Sequence, residues 1–105
     1  MKNEVKEKWV AALRSGQYAQ CKGKLRTAGN AYCCLGVLAD VVEPSKWHAQ
    51  PSQWGEINHE WQDGDTMRNI AAECDVPRRL LCELAKKNDA GESFEAIASY
   101  IEDNL

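Results

Sequence analysis

The sequence is short of the features that mark a catalyst or a membrane protein. Its 105 residues include two histidines, three prolines and one phenylalanine. His48 and His59 stand apart from any nucleophile-and-base string, and neither a phosphate-binding glycine loop nor a metalloprotease helix motif is present. These absences predict no catalytic residue and a protein that is not an enzyme. The longest apolar stretch, Tyr32–Val42, is broken by Gly36 and Asp40, and is about half of what a bilayer span requires. Lys and Glu are scattered through residues 1–20, which argues against a signal core there. The expectation is a single cytoplasmic domain over residues 1–105 with no membrane partner.

Five cysteines are many for this length, but their spacing suits neither a disulfide framework nor a metal site. The count is odd, Cys33 and Cys34 are adjacent, and no C-x-x-C pair exists. Adjacent cysteines rarely bridge each other because the ring is strained, and neither histidine lies near a cysteine pair. No metal and no cofactor are therefore expected. Cys34, Cys74 and Cys82 read as small core residues in a reducing compartment.

The net charge of −3 conceals a gradient. Residues 1–30 hold seven Lys/Arg against two Glu, residues 31–66 hold one against six, and residues 67–105 hold five against eight. The first third is thus basic and the middle acidic, an asymmetry that steers charged partners when it is gathered on separate surfaces.

Apolar spacing predicts a mainly α (α+β) fold of about five short helices around one core. Val5, Trp9, Ala12 and Leu13 recur at helical intervals, and Gly16 supplies a stop. Cys34, Leu35, Leu38, Val41 and Val42 trace a second stripe, with Gly36 admitting a close neighbour and Glu43-Pro44 ending it. Met67, Ile70, Ala71 and Cys74 form a third behind the capping pair Asp65-Thr66. Pro77 opens a fourth carrying Leu80, Leu81 and Leu84, which ends at Asn88, Asp89 and Gly91. Ser93 caps the last, which carries Phe94, Ile97, Ala98 and Ile101. A small β-hairpin is expected near residues 24–34, pairing Lys24–Thr27 with Ala31–Cys33 across Ala28-Gly29-Asn30. Residues 43–66 keep no regular period and read as an irregular loop with a short hairpin near Trp54–Trp61.

Three groups of residues are candidate sites. The first is the acidic middle: Trp54 as an aromatic anchor with Glu56, Glu60, Asp63 and Asp65 as a negative surface for a protein partner. The carboxylates lack the spacing of a calcium loop. The second spans Met67–Lys86, whose Ile70-Ala71, Asp75-Val76, Leu81 and Leu84 approximate a helix-turn-helix. There Arg78 and Arg79 open a recognition helix with Lys86 and Lys87 at its far end. Asp75 in place of glycine, Glu83 on the exposed face and the negative net charge all disfavour nucleic acid. The third is the polar tail of the first helix, Arg14, Tyr18 and Gln20 with Lys24, placed to converge on a nucleotide.

Three blocks resemble small proteins encoded in bacteriophages and prophages: Trp9-Val-Ala-Ala-Leu-Arg-Ser-Gly-Gln-Tyr18, Ala31-Tyr-Cys-Cys-Leu-Gly-Val-Leu38, and Asn88-Asp-Ala-Gly-Glu-Ser-Phe-Glu-Ala-Ile-Ala-Ser-Tyr-Ile101. They cover about a third of the chain in the same order. The resemblance implies a setting, a phage protein in the host bacterial cytoplasm, and no chemistry. With the acidic middle, that setting leads to an expected function: a non-catalytic inhibitor of a host defence complex, anti-CRISPR-like, acting by protein binding or by imitating nucleic-acid charge. A helix-turn-helix DNA-binding regulator and a sponge for a nucleotide signal are the two alternatives.

Overall fold

The structure is a computed structural model that describes residues 1–27, 29–44, 47–51, 57–61 and 66–105, with the backbone alone at 48–51, 57–61, 66 and 67. Within these residues the order is α1 (Asn3–Arg14), β1 (Ala19–Gln20), β2 (Ala31–Tyr32), α2 (Cys34–Val42), β3 (Trp47–Pro51), β4 (Ile57–Trp61), α3 (Thr66–Cys74), α4 (Arg78–Asp89) and α5 (Phe94–Asn104). The fold is mainly α with a small β component, as the apolar spacing predicts.

The short helix α2 is the centre of the core. Every residue from Cys34 to Ala39 is buried, and α2 packs against α1, α3 and α4, while α5 closes over α1 and α4. A helix buried on all sides needs neighbours at close range, and Gly36 provides one. A Cβ at Gly36 would overlap the Leu25 carbonyl, so glycine at this position lets the 21–27 segment lie directly on the helix. The stripes on the surrounding helices face inward: Trp9 and Leu13 of α1, Ile70 and Cys74 of α3, Leu81 and Leu84 of α4, and Ile97 and Ile101 of α5 are all buried. Trp9 is fully covered, and its indole Nε1 donates to the Cys34 carbonyl at 2.9 Å. The core's largest side chain thereby holds an α1 face against the start of α2.

The helix ends obey local chemistry. Ser15 caps α1 through Oγ accepting from Gln17 N and donating to the Ala12 carbonyl, and Gly16 turns the chain with φ +75°. Ser93 Oγ accepts from Ala96 N at the start of α5. At the start of α2 a thiol takes this role, Cys33 Sγ accepting from Gly36 N at 3.4 Å. Among the cysteines, Cys34 and Cys74 are buried as expected, but Cys82 is only half-buried and Cys33 takes a buried position instead. Cys82 follows Leu81 by one residue and so points about 100° around α4 from the Leu81–Leu84 stripe, whereas Cys33, the N-cap of α2, stands at the start of the buried run.

The expected hairpin near 24–34 is present in reduced form. Thr27 N donates to the Ala31 carbonyl, Asn30 sits at φ +61°, and the antiparallel contact is a single bridge between Arg26 and Tyr32. The more extended pairing of its second arm is parallel, with Ala19 opposite Ala31 and Gln20 opposite Tyr32. In place of an irregular loop, residues 43–66 contain an antiparallel ribbon in which Trp47 pairs with Trp61 and Pro51 with Ile57. Its first arm starts seven residues before the hairpin expected at Trp54–Trp61. Pro51 is the last residue of its strand, where the ladder ends.

Candidate binding surfaces

The sequence places Arg14, Tyr18, Gln20 and Lys24 together as one pocket, and the structure distributes them. Arg14 leaves α1 toward α5, its Nε 3.2 Å from Glu95 Oε1 and its Nη2 2.6 Å from Glu102 Oε1 and 3.2 Å from Ser99 Oγ. The pairing raises the Arg14 pKa and lowers that of Glu102, in both cases chiefly through the hydrogen bond between them. An open groove of about 520 Å³ runs along α1 here, lined by Lys6, Glu7, Val10, Ala11, Arg14 and Glu102 among others. Its charges alternate in sign, so it offers no field to an anion.

Tyr18 turns the other way, into an aromatic cluster at the foot of the β3–β4 ribbon. Its hydroxyl donates to Asp40 Oδ2 at 2.7 Å, and the other oxygen of that carboxylate accepts from the indole N–H of Trp47 at 3.1 Å. Tyr32 lies edge-on to both rings, with centroid separations of 4.9 Å to Tyr18 and 6.4 Å to Trp47. The Arg26 guanidinium covers Tyr32 and Trp47 at 5.2 and 5.5 Å from their centroids, and two of its nitrogens donate to Asn30 Oδ1. Burial, then the hydrogen bond to Asp40, drives the Tyr18 phenol above its ordinary range. This cluster ties the first residue of the ribbon to α2 and to the 26–32 turn.

Gln20 reaches a third place, missed by the sequence reading. Asn88, there only an end-marker for α4, is fully buried. Its Oδ1 accepts from Gln20 Nε2 at 2.8 Å and from Cys34 N at 3.2 Å, and its Nδ2 donates to the Cys21 carbonyl at 2.8 Å and to Asp89 Oδ1 at 3.3 Å. Gln20 Nε2 also donates to the Glu92 carbonyl. In a continued β1–β2 ladder, Cys34 N would bond to the Cys21 carbonyl directly. The Asn88 carboxamide is inserted between them, standing in for one peptide group. The only sequence signal was the Asn88-Asp89 start of the third block, which packing of that helix does not require. Lys24, the fourth member of the expected pocket, is exposed on the 21–25 turn.

The helix-turn-helix corner forms as the spacing predicts. Asp75 occupies the turn with φ +53°, Val76 is buried with its N–H bonded to the Ala71 carbonyl, and α3 packs on α4. An aspartate tolerates the left-handed region that glycine usually fills. Arg78, Arg79 and Lys86 are exposed, with Glu83 between them on the exposed side of α4. Lys87 departs from that set: its Nζ is 3.6 Å from Glu92 Oε2 and lies over the Tyr100 ring at 4.4 Å. Of the acidic candidates, Glu60 lies in β4 opposite His48, while Trp54, Glu56, Asp63 and Asp65 fall outside the described residues.

At neutral pH the buried thiols are held in their protonated, weakly nucleophilic form. Burial pushes Cys33 and Cys74 up to about 11 and Cys34 higher still. Among the described residues no group of His, Cys, Asp and Glu is arranged to hold a metal ion, and no helix is long and apolar enough to cross a membrane.

Fold and surfaces together define a small helical protein with a minor β component and several polar seams. The chain belongs to the DUF8296 family, a domain of unknown function whose model matches residues 1–105. No curated protein and no solved structure matches it.

Proposed function

We propose that this chain is a phage-encoded, non-catalytic binding protein that acts in the host bacterial cytoplasm on a protein complex of the host's defence, in the manner of an anti-CRISPR inhibitor. The contact surface is the acidic middle of the chain, with Trp54, Glu56, Glu60, Asp63 and Asp65 as the contacting residues. The observation that carries this reading is the β3–β4 ribbon. Its register pairs five residues on each arm, and its Trp47 end is fastened to α2 through Asp40. Glu60 belongs to this ribbon, and a carboxylate on a paired, anchored strand loses less conformational freedom on binding than one on an open loop, so more of its attraction to a basic groove survives as affinity. The resemblance to phage proteins supports the setting.

The test is affinity purification of the tagged protein from a bacterial host, with protein and nucleic acid in the eluate both identified. A stoichiometric protein partner is expected, and reversing the charge of Glu56, Glu60, Asp63 and Asp65 is expected to weaken its binding at least about tenfold. Recovery of no protein partner, or binding indifferent to the reversals, overturns the reading.

A second reading, a DNA-binding regulator, draws on the α3–α4 corner and the exposed Arg79 and Lys86 of α4. It requires a duplex-DNA complex whose affinity falls steeply with salt. Absence of a mobility shift at low ionic strength removes it.

A further inference from the structure

We infer that Cys21 and Cys33 are a disulfide-forming pair, a covalent modification site in which a small disulfide oxidant staples the 21–33 segment across its own parallel ladder. The inference goes beyond the binding reading and does not depend on it.

The geometry begins with the strand register. Ala19 faces Ala31 and Gln20 faces Tyr32 in parallel, so the next pair in line is Cys21 with Cys33. Of the two bonds that would fix this pair, one is made directly, Cys21 N donating to the Tyr32 carbonyl at 2.8 Å, and the other, between Cys34 N and the Cys21 carbonyl, runs through the Asn88 carboxamide. Residues facing each other in parallel register project to the same side of the ladder. Neighbouring strands lie about 4.8 Å apart, inside the Cα separation of about 4.4–6.8 Å that a disulfide spans. The same turn borders both thiols. Cys21 Sγ reaches the Lys24 carbonyl at 3.3 Å, Cys33 N donates to the Leu25 carbonyl at 3.2 Å, and Cys33 shares the lining of a small cavity of about 180 Å³ with Gly23, Lys24 and Leu25 of that turn. Cys21 is also close enough to add to the upward push on the Cys33 thiol. The vicinal Cys33–Cys34 pair does not compete: Cys34 Sγ is directed to the Leu84 carbonyl at 3.5 Å in the core, while Cys33 Sγ faces Gly36 N.

Exposure orders the chemistry. Cys21 is half-buried and Cys33 is buried, so Cys21 meets the oxidant first. Its thiolate attacks one sulfur of oxidised glutathione, forming a mixed disulfide and releasing one glutathione thiolate. The Cys33 thiolate then attacks Cys21 Sγ, breaking the mixed disulfide and expelling the second glutathione. Two protein thiols lose two electrons and two protons, and one glutathione disulfide becomes two glutathione thiols. Both protein thiols are raised by burial, which makes the exchange faster at alkaline pH.

The test treats the reduced, folded protein with oxidised glutathione at pH 8.5, quenches in acid, blocks remaining thiols and maps tryptic peptides without reduction. Cleavage separates the peptide ending at Lys22, with Cys21, from the peptide beginning at Thr27, with Cys33 and Cys34. The two peptides are expected to be joined in the wild type and in Cys34→Ser, and to be separate in Cys21→Ser and Cys33→Ser, with circular dichroism verifying that each variant is folded. Serine is nearly isosteric with cysteine and a good N-cap, and if Cys33→Ser nevertheless fails to fold, Cys21→Ser and Cys34→Ser still decide. A link lost in Cys34→Ser, a glutathione adduct on Cys21 with no internal bridge, or a wild type that keeps five blockable thiols overturns the inference.

Discussion

Gln20 and Arg14 lie six residues apart, and each fastens the first third of the chain to its last fifth, but they do so in opposite environments. Gln20 joins a carboxamide seam 68 residues away that is completed by a fully buried Asn88. Arg14 joins an ion-pair seam with Glu95, 81 residues away, and with Glu102, where all three side chains keep substantial contact with water. The number of polar contacts is similar, so the difference lies in what replaces them when they are lost. Water re-solvates Arg14 and its carboxylates at little cost. It has no ready access to Cys34 N once Asn88 is gone, and buried groups left without a partner are expensive.

Asn88→Ala should therefore have the largest effect, destabilising the protein by about 2 kcal/mol in urea unfolding, since it orphans a buried donor and a half-buried acceptor together. Asn88→Asp should not rescue it, because a carboxylate has no hydrogen to offer the Cys21 carbonyl. Gln20→Ala removes two bonds from the rim of the same seam and should cost about 1 kcal/mol. In the Asn88→Ala background its cost should shrink, which a double-mutant cycle measures directly. Arg14→Ala should cost less than Gln20→Ala, and added salt should narrow its difference from wild type. If it proves as damaging as Asn88→Ala, burial is not what separates the two seams.

The smallest effect concerns the aromatic cluster, which is intermediate in exposure. The Tyr18 phenol is raised in the folded state by burial and by its bond to Asp40. Its contribution to stability is complete below the ordinary phenol range near pH 10 and is lost as pH rises through the higher folded value. Alkaline absorbance titration should show this tyrosine ionising late, and Asp40→Asn should bring its ionisation down. A phenol that titrates normally would place Tyr18 in open water.

The helical part of the fold was legible because a buried helix face imposes a period on neighbouring residues. Phe94, Ile97, Ala98 and Ile101 were readable as one face, and all four are buried. Gly36 was readable as a close approach, though not that the approaching group is the Leu25 backbone. The carboxamide seam was not legible, because a contact between Gln20 and Asn88 leaves no periodic trace in either segment. The parallel pair is two residues long on each arm, too short to show alternation. The β3–β4 ribbon was only partly legible: Trp47, Ile57 and Trp61 at its ends favour strands, but His48-Ala-Gln-Pro51 and Asn58-His-Glu60 hold no β-branched residue to mark where its first arm runs. Of the proposed acidic surface, only the placement of Glu60 in β4 is described.

The inserted carboxamide also means that the short parallel ladder is not closed by its own strands. Its last rung runs from Cys34 N through Asn88 to the Cys21 carbonyl, so a side chain at the end of α4 completes the hydrogen bonding of two segments more than fifty residues earlier in the chain. A fragment that stops short of α4 should therefore lose a bond inside its own sheet as well as the core contacts of the missing helices, and limited proteolysis between α3 and α4 should loosen the 19–34 region along with the cut.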